Sequence, residues 1–262
     1  MNKLFKHFFF IVSFVFIITI FLSPIVIVLW SSLRAPSDIP ALQMADYYAA
    51  FLDSGFFKAC IYSVFITIFS TGFIVFFSSM AAWMIIRVKN RINRFFYYCF
   101  VFSAFVPFAA LMWTMPKTAE LVHLNNPLGL IFLYLGFGAG LSIFIFSFSI
   151  KKIPVEIEEA ALLDGCSLIQ VFSNVVLPML RPATIVVALI NAIWIWNDYL
   201  MPSLIIGEGY ETITMSIMKS GLTAYNAQLL SISIILSIIP ILVFYVINRR
   251  QIIKSFAIGA PK

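Results

Sequence analysis

Residues 158–178 read EEAALLDGCSLIQVFSNVVLP and form the centre of a polar segment, residues 151–181, that separates two long apolar runs. Acidic residues gather at the start of this segment, where the dipole of a helix favours negative charge. Gly165 is expected to end that helix, and Ser167 is suited to cap a second one that stops before Pro178. The segment therefore predicts two short helices that meet at Gly165.

The second predicted helix carries an apolar stripe at helical spacing. One interpretation is an amphipathic helix that lies on the membrane surface, but such helices usually carry Lys or Arg on their polar face. No Lys or Arg occurs between Val155 and Leu180, so an anionic leaflet would repel this segment and a basic cleft on a partner protein would not. Docking to a partner is favoured for the stripe, which comprises Leu168, Ile169, Val171, Phe172 and Val175.

The composition excludes a soluble domain. Of the 262 residues 62% are hydrophobic and 11% charged, and the mean hydropathy is +1.03, whereas a soluble fold must cover its outside with polar groups. The net charge is +6, but the Lys and Arg residues occur in short runs between apolar segments and do not form a continuous basic surface that could bind nucleic acid. Neither the three cysteines nor the two histidines have the spacing of a metal site, so no metal ligand is predicted.

Six apolar runs are long enough to cross a bilayer as helices, since hydrocarbon requires every backbone amide to find a partner within the segment. The sequence predicts an all-α, polytopic membrane protein that forms a single transmembrane domain over residues 1–262. The predicted spans are 8–30, 59–86, 95–114, 128–150, 183–206 and 229–247.

The basic residues fix the expected orientation. With the N-terminus inside the cell, 13 of the 17 Lys and Arg residues fall on cytoplasmic segments. The remaining four fall outside, which is a strong positive-inside bias. Both termini and the polar segment 151–181 are therefore predicted to be cytoplasmic. The four external bases are Arg34, Lys58, Lys117 and Lys219.

The polar segment also carries a spaced motif: Glu159-Ala160-Ala161, three residues, Gly165, nine residues, then Val175, any residue and Leu177-Pro178. It resembles the EAA loop of ABC importer permeases, with Val175 standing where isoleucine is usual. Downstream, Trp196-Asn197-Asp198-Tyr199 is similar to carbohydrate-uptake permeases, and more closely to the smaller permease of maltose-type importers. The tail, residues 256–262, departs from that family, which commonly has a longer Gly-rich ending.

The resemblance implies a permease subunit of a bacterial inner-membrane importer, with no catalytic residues of its own. The implied partners are a second permease, expected to be a different chain, two ATPase subunits and an extracellular solute-binding protein, all beside membrane lipid. ATP and Mg²⁺ are expected on the ATPases, because this chain has no phosphate-binding loop and no cofactor of its own. The residues implied in ATPase coupling are Glu158, Glu159, Ala160, Ala161, Asp164, Gly165, Phe172, Leu177 and Pro178. We call residues 151–181 the coupling loop.

The fifth predicted span offers groups that could line a sugar path. Asn191, Trp194 and Asp198 share one helical face, and Asn197 lies on a neighbouring face. A carboxylate within a membrane is costly unless it faces water or a partner, so Asp198 is a functional candidate. The alternative is that these groups bond to neighbouring helices or anchor the interface. By resemblance, the outer loop 207–228 reaches towards the binding protein, with Glu208 and Glu211 as candidate contacts.

Other functions are also compatible with the sequence. The same motif would serve an importer of phosphate, amino acids or another solute, and the identity of a sugar is not encoded in any motif. A channel or membrane scaffold is a further alternative. A secondary transporter would be expected to show paired, broken halves with intramembrane charges, and a membrane enzyme would show clustered catalytic groups; the sequence shows neither pattern.

Overall fold

A computed structural model describes residues 3–33, 55–206, 209–223 and 227–258 of the chain. Within those ranges the regular structure is entirely helical, which confirms the all-α prediction. One element is a π-helical turn, Phe172–Val176. The α-helices are α1 (Lys3–Leu33), α2 (Phe56–Arg87), α3 (Arg91–Ser103), α4 (Phe108–Leu111), α5 (Met115–Leu121), α6 (Pro127–Ile150), α7 (Val155–Leu163), α8 (Leu168–Val171), α9 (Leu177–Met179), α10 (Arg181–Asn197), α11 (Leu200–Ile205), α12 (Ile213–Thr223) and α13 (Ala227–Ile258).

Four helices in the described part of the chain are long and apolar enough to cross a membrane, and each matches one predicted span. A fifth crossing is possible where Leu168–Met179 and α10 follow each other, although these two parts meet at an angle of 78°. The four spans are His7–Leu33, Phe56–Arg87, Pro127–Ile150 and Leu230–Ile247.

Two of the predicted spans are not continuous helices, and this corrects the sequence analysis. The span predicted over 95–114 ends as a helix at Ser103, because Pro107 has no amide hydrogen to bond to the Ser103 carbonyl. Pro107 has an extended backbone and is the N-cap of the short α4. The span predicted over 183–206 breaks after Asn197, where Asp198 turns to an extended backbone before α11 begins. Apolar composition indicated both stretches but did not register either break.

The chain divides into two compact units. One contains Met1–Lys58 and Ser216–Leu242, and the other contains Ala59–Met215 and Val243–Lys262. In the first unit α1 is exposed along nearly its whole length, which suits contact with lipid or with another membrane helix. All residues of the coupling loop and of the fifth predicted span lie in the second unit.

The core of the second unit forms where α6 packs against α3 and α10. Tyr134 and Phe146 of α6 are fully buried there. Gly140 permits the approach of α3, because a Cβ at this position would lie 2.5 Å from the carbonyl oxygen of Phe100. Small residues serve the same purpose in many membrane helix contacts, where close packing replaces the hydrophobic effect.

Replacement of Gly140 by alanine is expected to destabilise this helix pair by about 1–3 kcal/mol, the usual effect of overpacking. The clash is with backbone atoms, which cannot rotate away as a side chain can. Gly136 on the same helix is the matched control, because no atom lies within 4 Å of a Cβ placed there. The measurement is the fraction of protein that stays monodisperse in detergent after heating. Equal losses for G140A and G136A would contradict the packing argument.

Candidate functional site

The first half of the coupling loop is the helix α7, and its end is built as predicted. Gly165 has a φ of 87°, a left-handed conformation that glycine adopts without strain. The amide of Gly165 donates to the carbonyl of Leu162, and the amide of Cys166 donates to the carbonyl of Ala161, both at 3.0 Å. This pair of bonds is a Schellman motif, and it turns the chain sharply at Gly165.

The second half begins at Ser167, which forms the predicted cap. The Ser167 hydroxyl accepts from the Gln170 amide, and the Gln170 side chain accepts from the Ser167 amide, so the two residues make a capping box. Pro178 was predicted to stop this helix but lies inside the first turn of α9, where a proline needs no amide partner. The bend comes instead at Leu180, between α9 and α10.

One acid of the loop faces inwards. Glu158 is only 5% exposed, and Arg87, at the end of α2, donates to its Oε1 from Nη2 at 2.7 Å and from Nε at 3.0 Å. The indole Nε1 of Trp83 donates to its Oε2 at 2.9 Å. Arg87 Nη2 also donates to the carbonyl of Ile153 at 2.9 Å, so one guanidinium holds both the start of the loop and α7.

Phe172 provides the apolar part of the same attachment. It is 4% exposed, and its ring lies 5.6 Å from that of Trp83 and 6.2 Å from that of Phe76, both measured between centroids. Glu158 and Phe172, both expected in ATPase coupling, thus lie beneath the loop surface and attach the loop to α2. The sequence analysis did not identify Arg87 or Trp83 as site residues. The signal available in the sequence was a basic residue at the end of a predicted span, with a Trp one helical turn before it.

The outer surface of the loop combines acids with exposed apolar side chains. Glu159, Ala160 and Asp164 are exposed, as are Gly165 and Pro178, whereas Ala161 and Leu177 are partly covered. Three large aliphatic side chains stand out beside them. Exposed apolar side chains that lie together are typical of a surface that contacts a protein partner or a membrane. The exposed fractions are 89% for Leu163, 79% for Ile169 and 60% for Leu168.

The polar groups of the fifth predicted span are divided between the interior and the surface. Asn191 is 5% exposed, and its Nδ2 donates to Ser142 Oγ at 3.1 Å and to the Val187 carbonyl at 2.8 Å. Its amide therefore joins α10 to α6. On the same face, Trp194 remains 36% exposed, and its ring lies nearly perpendicular to that of Tyr134, with 5.4 Å between the ring centroids.

Asp198 is partly buried and is hydrogen-bonded to other residues of the chain. Tyr134 donates its hydroxyl to Asp198 Oδ2 at 2.9 Å, and the Leu200 amide donates to Oδ1 at 3.0 Å. Its backbone carbonyl accepts from Thr214 Oγ1 at 2.7 Å. These bonds offset part of the cost of burying the carboxylate. Asn197, next to it, is exposed, and its Nδ2 donates to the Ile193 carbonyl.

Two acids, Glu208 and Glu211, were predicted to contact a binding protein. Glu208 lies outside the described residues. Glu211 lies two residues before α12 and is partly buried. In the described ranges no three His, Cys, Asp or Glu side chains come together as a metal site would require.

Comparison with known proteins adds three findings. The model of the family described as the inner membrane component of binding-protein-dependent transport systems matches residues 47–255. The probable starch degradation products transport system permease protein AmyC of Thermoanaerobacterium thermosulfurigenes is 32% identical over 256 residues, which cover 93% of this chain and 92% of that protein. The multiple sugar-binding transport system permease protein MsmG of Streptococcus mutans is 28% identical over 257 residues and 92% of each chain.

A solved structure shares the fold. A chain of a bacterial ABC transporter involved in the import of the acidic polysaccharide alginate aligns with a TM-score of 0.78 and 19% identity. The alignment covers 95% of this chain and 98% of that one.

Proposed function

The chain belongs to the family of inner membrane components of binding-protein-dependent transport systems, and from this we propose that it is the pore-forming permease of an ATP-driven importer of a sugar or oligosaccharide. Members of the family are transport subunits, so the chain is a membrane component of an importer and not an enzyme. Its import system uses a solute-binding protein, as the family description states.

The observation that carries the ATPase partnership is the outer surface of the coupling loop. Glu159 and Asp164 stand beside Leu163 and Ile169, which are almost fully exposed, on a loop that Arg87 and Trp83 fasten to a spanning helix. A basic, partly apolar cleft on an ATPase subunit would match this surface in charge and in shape. Movement of the cleft would then pull on α2 through the attachment beneath the loop.

The remaining parts of the importer follow the same reasoning. We propose a second permease, a different chain, that completes the pore, and two ATPase subunits that hold ATP and Mg²⁺. The chain itself would carry no cofactor. Its six predicted membrane segments, two of them broken, would form one transmembrane domain with both termini in the cytoplasm, as the positive-inside bias favours.

The sugar cargo rests on the named relatives and on the side chains of α10. Two relatives that match over nearly the whole chain are named as permeases for starch degradation products and for multiple sugars. Trp194 offers an exposed aromatic face of the kind that stacks on sugar rings. An importer of a non-sugar solute is the alternative; a channel or scaffold would have no need of the exposed acidic and apolar loop.

The decisive experiment is a detergent pull-down of the tagged full-length chain, followed by reconstitution of the recovered complex in liposomes. Recovery of an ATPase and a second permease, with ATPase activity stimulated by the binding protein and one sugar, would support the proposal. Recovery of the intact chain alone would contradict it. Stimulation by a non-sugar solute would support an importer whose cargo is not a sugar.

Alanine at Trp194 is expected to raise the sugar concentration for half-maximal uptake by about threefold to tenfold, because an aromatic contact contributes about 0.5–1.5 kcal/mol. Assembly should be unchanged, since this side chain is partly exposed. Asn191→Ala is the contrasting variant: it removes two internal hydrogen bonds and should lower thermal stability instead. The checks are labelled-sugar uptake and melting of the purified complex. Unchanged uptake in Trp194→Ala would remove this residue from the path.

A further inference from the structure

A cavity of about 1030 Å³ opens between the turn that joins α2 to α3 and the coupling loop. The end of α2 and the first turns of α3 form one wall, and α7 with the start of α8 forms the other. The basic side chains on its lining are Arg87, Lys89, Arg91, Arg94 and Lys151.

The cavity has an excess of positive charge. Its five bases face two acids, and one of these, Glu158, is already neutralised by Arg87. The other four bases are exposed, and none of them forms an ion pair within the ranges that the structure describes. Glu159, at the outer edge, offsets one of them. A site with three uncompensated bases around a concave wall is suited to an anion with several oxygens.

The position of the cavity indicates where that anion comes from. The spanning helices α2 and α6 end at Arg87 and Ile150, so the cavity lies at the level where the membrane meets water. Tyr97 and Tyr98, whose rings lie 5.7 Å apart, line the same wall, and tyrosines are enriched at that level.

The lining is also amphipathic. Ile85, Ile86 and Val155 add aliphatic surface next to the bases. A free phosphate would leave this apolar surface uncovered, whereas the glycerol and upper acyl carbons of a lipid would cover it. Basic pockets between membrane helices on the cytoplasmic side bind anionic headgroups for this combination of reasons.

We propose that this cavity binds the phosphate headgroup of an anionic phospholipid from the adjoining leaflet. The phosphate lies against Arg91, Arg94 and Lys89, and the glycerol end faces the aliphatic wall. The phosphate lies on the basic α2–α3 side, away from the acids of α7, and the coupling loop meets the lipid through aliphatic side chains such as Val155 and Leu162. The site depends neither on the sugar nor on the identity of the ATPase.

The test is native mass spectrometry of the full-length protein, purified with its associated subunits and exchanged into phosphatidylglycerol or, in parallel, phosphatidylcholine. The wild type should retain phosphatidylglycerol in preference. The double variant Arg91→Gln/Arg94→Gln should weaken that retention about 25-fold, since each base near an anionic surface contributes about fivefold. Both side chains are exposed, so the fold should be unaffected.

The matched control removes two exposed bases elsewhere, Arg249 and Lys117, with the same change to glutamine. Retention in this control should equal that of the wild type. Equal retention in both double variants, or an equal loss in both, would overturn the site. Displacement of the lipid by millimolar inorganic phosphate would overturn the lipid as the ligand.

Discussion

Exchange of Glu159 for lysine is expected to abolish solute uptake while the chain still inserts in the membrane at normal levels. Glu159 is exposed on α7, beside the apolar side chains that project from the coupling loop. Within the described ranges its carboxylate makes no ion pair or hydrogen bond of the kind that Glu158 makes with Arg87 and Trp83. A lysine there would place a positive charge against a basic cleft, and like charges brought together at an interface cost several kcal/mol.

The measurement is labelled-sugar uptake in cells, normalised to the amount of chain in the membrane, together with the amount of ATPase that co-purifies. Both should fall by at least about a hundredfold, the equivalent of roughly 3 kcal/mol. Glu120→Lys is the matched control, because Glu120 is also an exposed acid on a short helix and lies on the predicted external side. Normal uptake by the Glu159 variant at equal membrane levels would rule out the docking role.

Removal of the Arg87 side chain should release the coupling loop from α2 and thereby uncouple transport. Arg87→Ala leaves the Glu158 carboxylate buried with Trp83 as its remaining partner, and frees the carbonyl of Ile153. Loss of one partner from a buried ion pair typically costs about 3–5 kcal/mol. The cost is expected at the lower end, about 3 kcal/mol, because the Arg87 side chain is 17% exposed.

Cys166 provides a direct probe of this release. It is partly buried against the core at the turn of the loop, so its reaction with a maleimide reports local opening. In a background with Cys60 and Cys99 replaced by alanine, Arg87→Ala should speed labelling by at least about tenfold and reduce uptake in parallel. Lys117→Ala, which removes an exposed base from α5, should leave the labelling rate unchanged.

A double variant tests whether the loop opens because the charge of Glu158 is left unpaired. Arg87→Met combined with Glu158→Gln removes both charges and keeps an acceptor for the Trp83 indole, so labelling should return towards the wild-type rate. If the double variant labels as fast as Arg87→Ala, the unpaired charge of Glu158 is not what opens the loop in Arg87→Ala. If Arg87→Ala itself labels at the wild-type rate, the attachment contributes nothing measurable.

Much of the coupling loop could be predicted because its signals are local. The left-handed turn at Gly165 and the cap at Ser167 depend on residues within a few positions, and both are found as expected. The apolar stripe was only partly predictable. Val171 and Phe172 are buried, whereas Leu168 and Ile169 project outwards, and periodicity alone could not assign these two directions.

The broken spans were predicted with the wrong shape for a related reason. Hydropathy integrates composition over a window and is insensitive to a single backbone break, such as that at Pro107 or at Asp198. The partners of Asp198 are likewise non-local: Tyr134 precedes it by 64 residues. A charge in an apolar run indicates that a partner exists but does not identify it.

The sequence by itself determined that the chain is a helical membrane protein, how the polar loop turns, and which family it resembles, since composition, caps and motif spacing are properties of neighbouring residues. Only the tertiary structure decided that Glu158 faces inwards while Glu159 faces out. Adjacent residues on a helix point about 100° apart, and which of them is buried depends on where α2 places Arg87 and Trp83, more than 70 residues earlier in the chain.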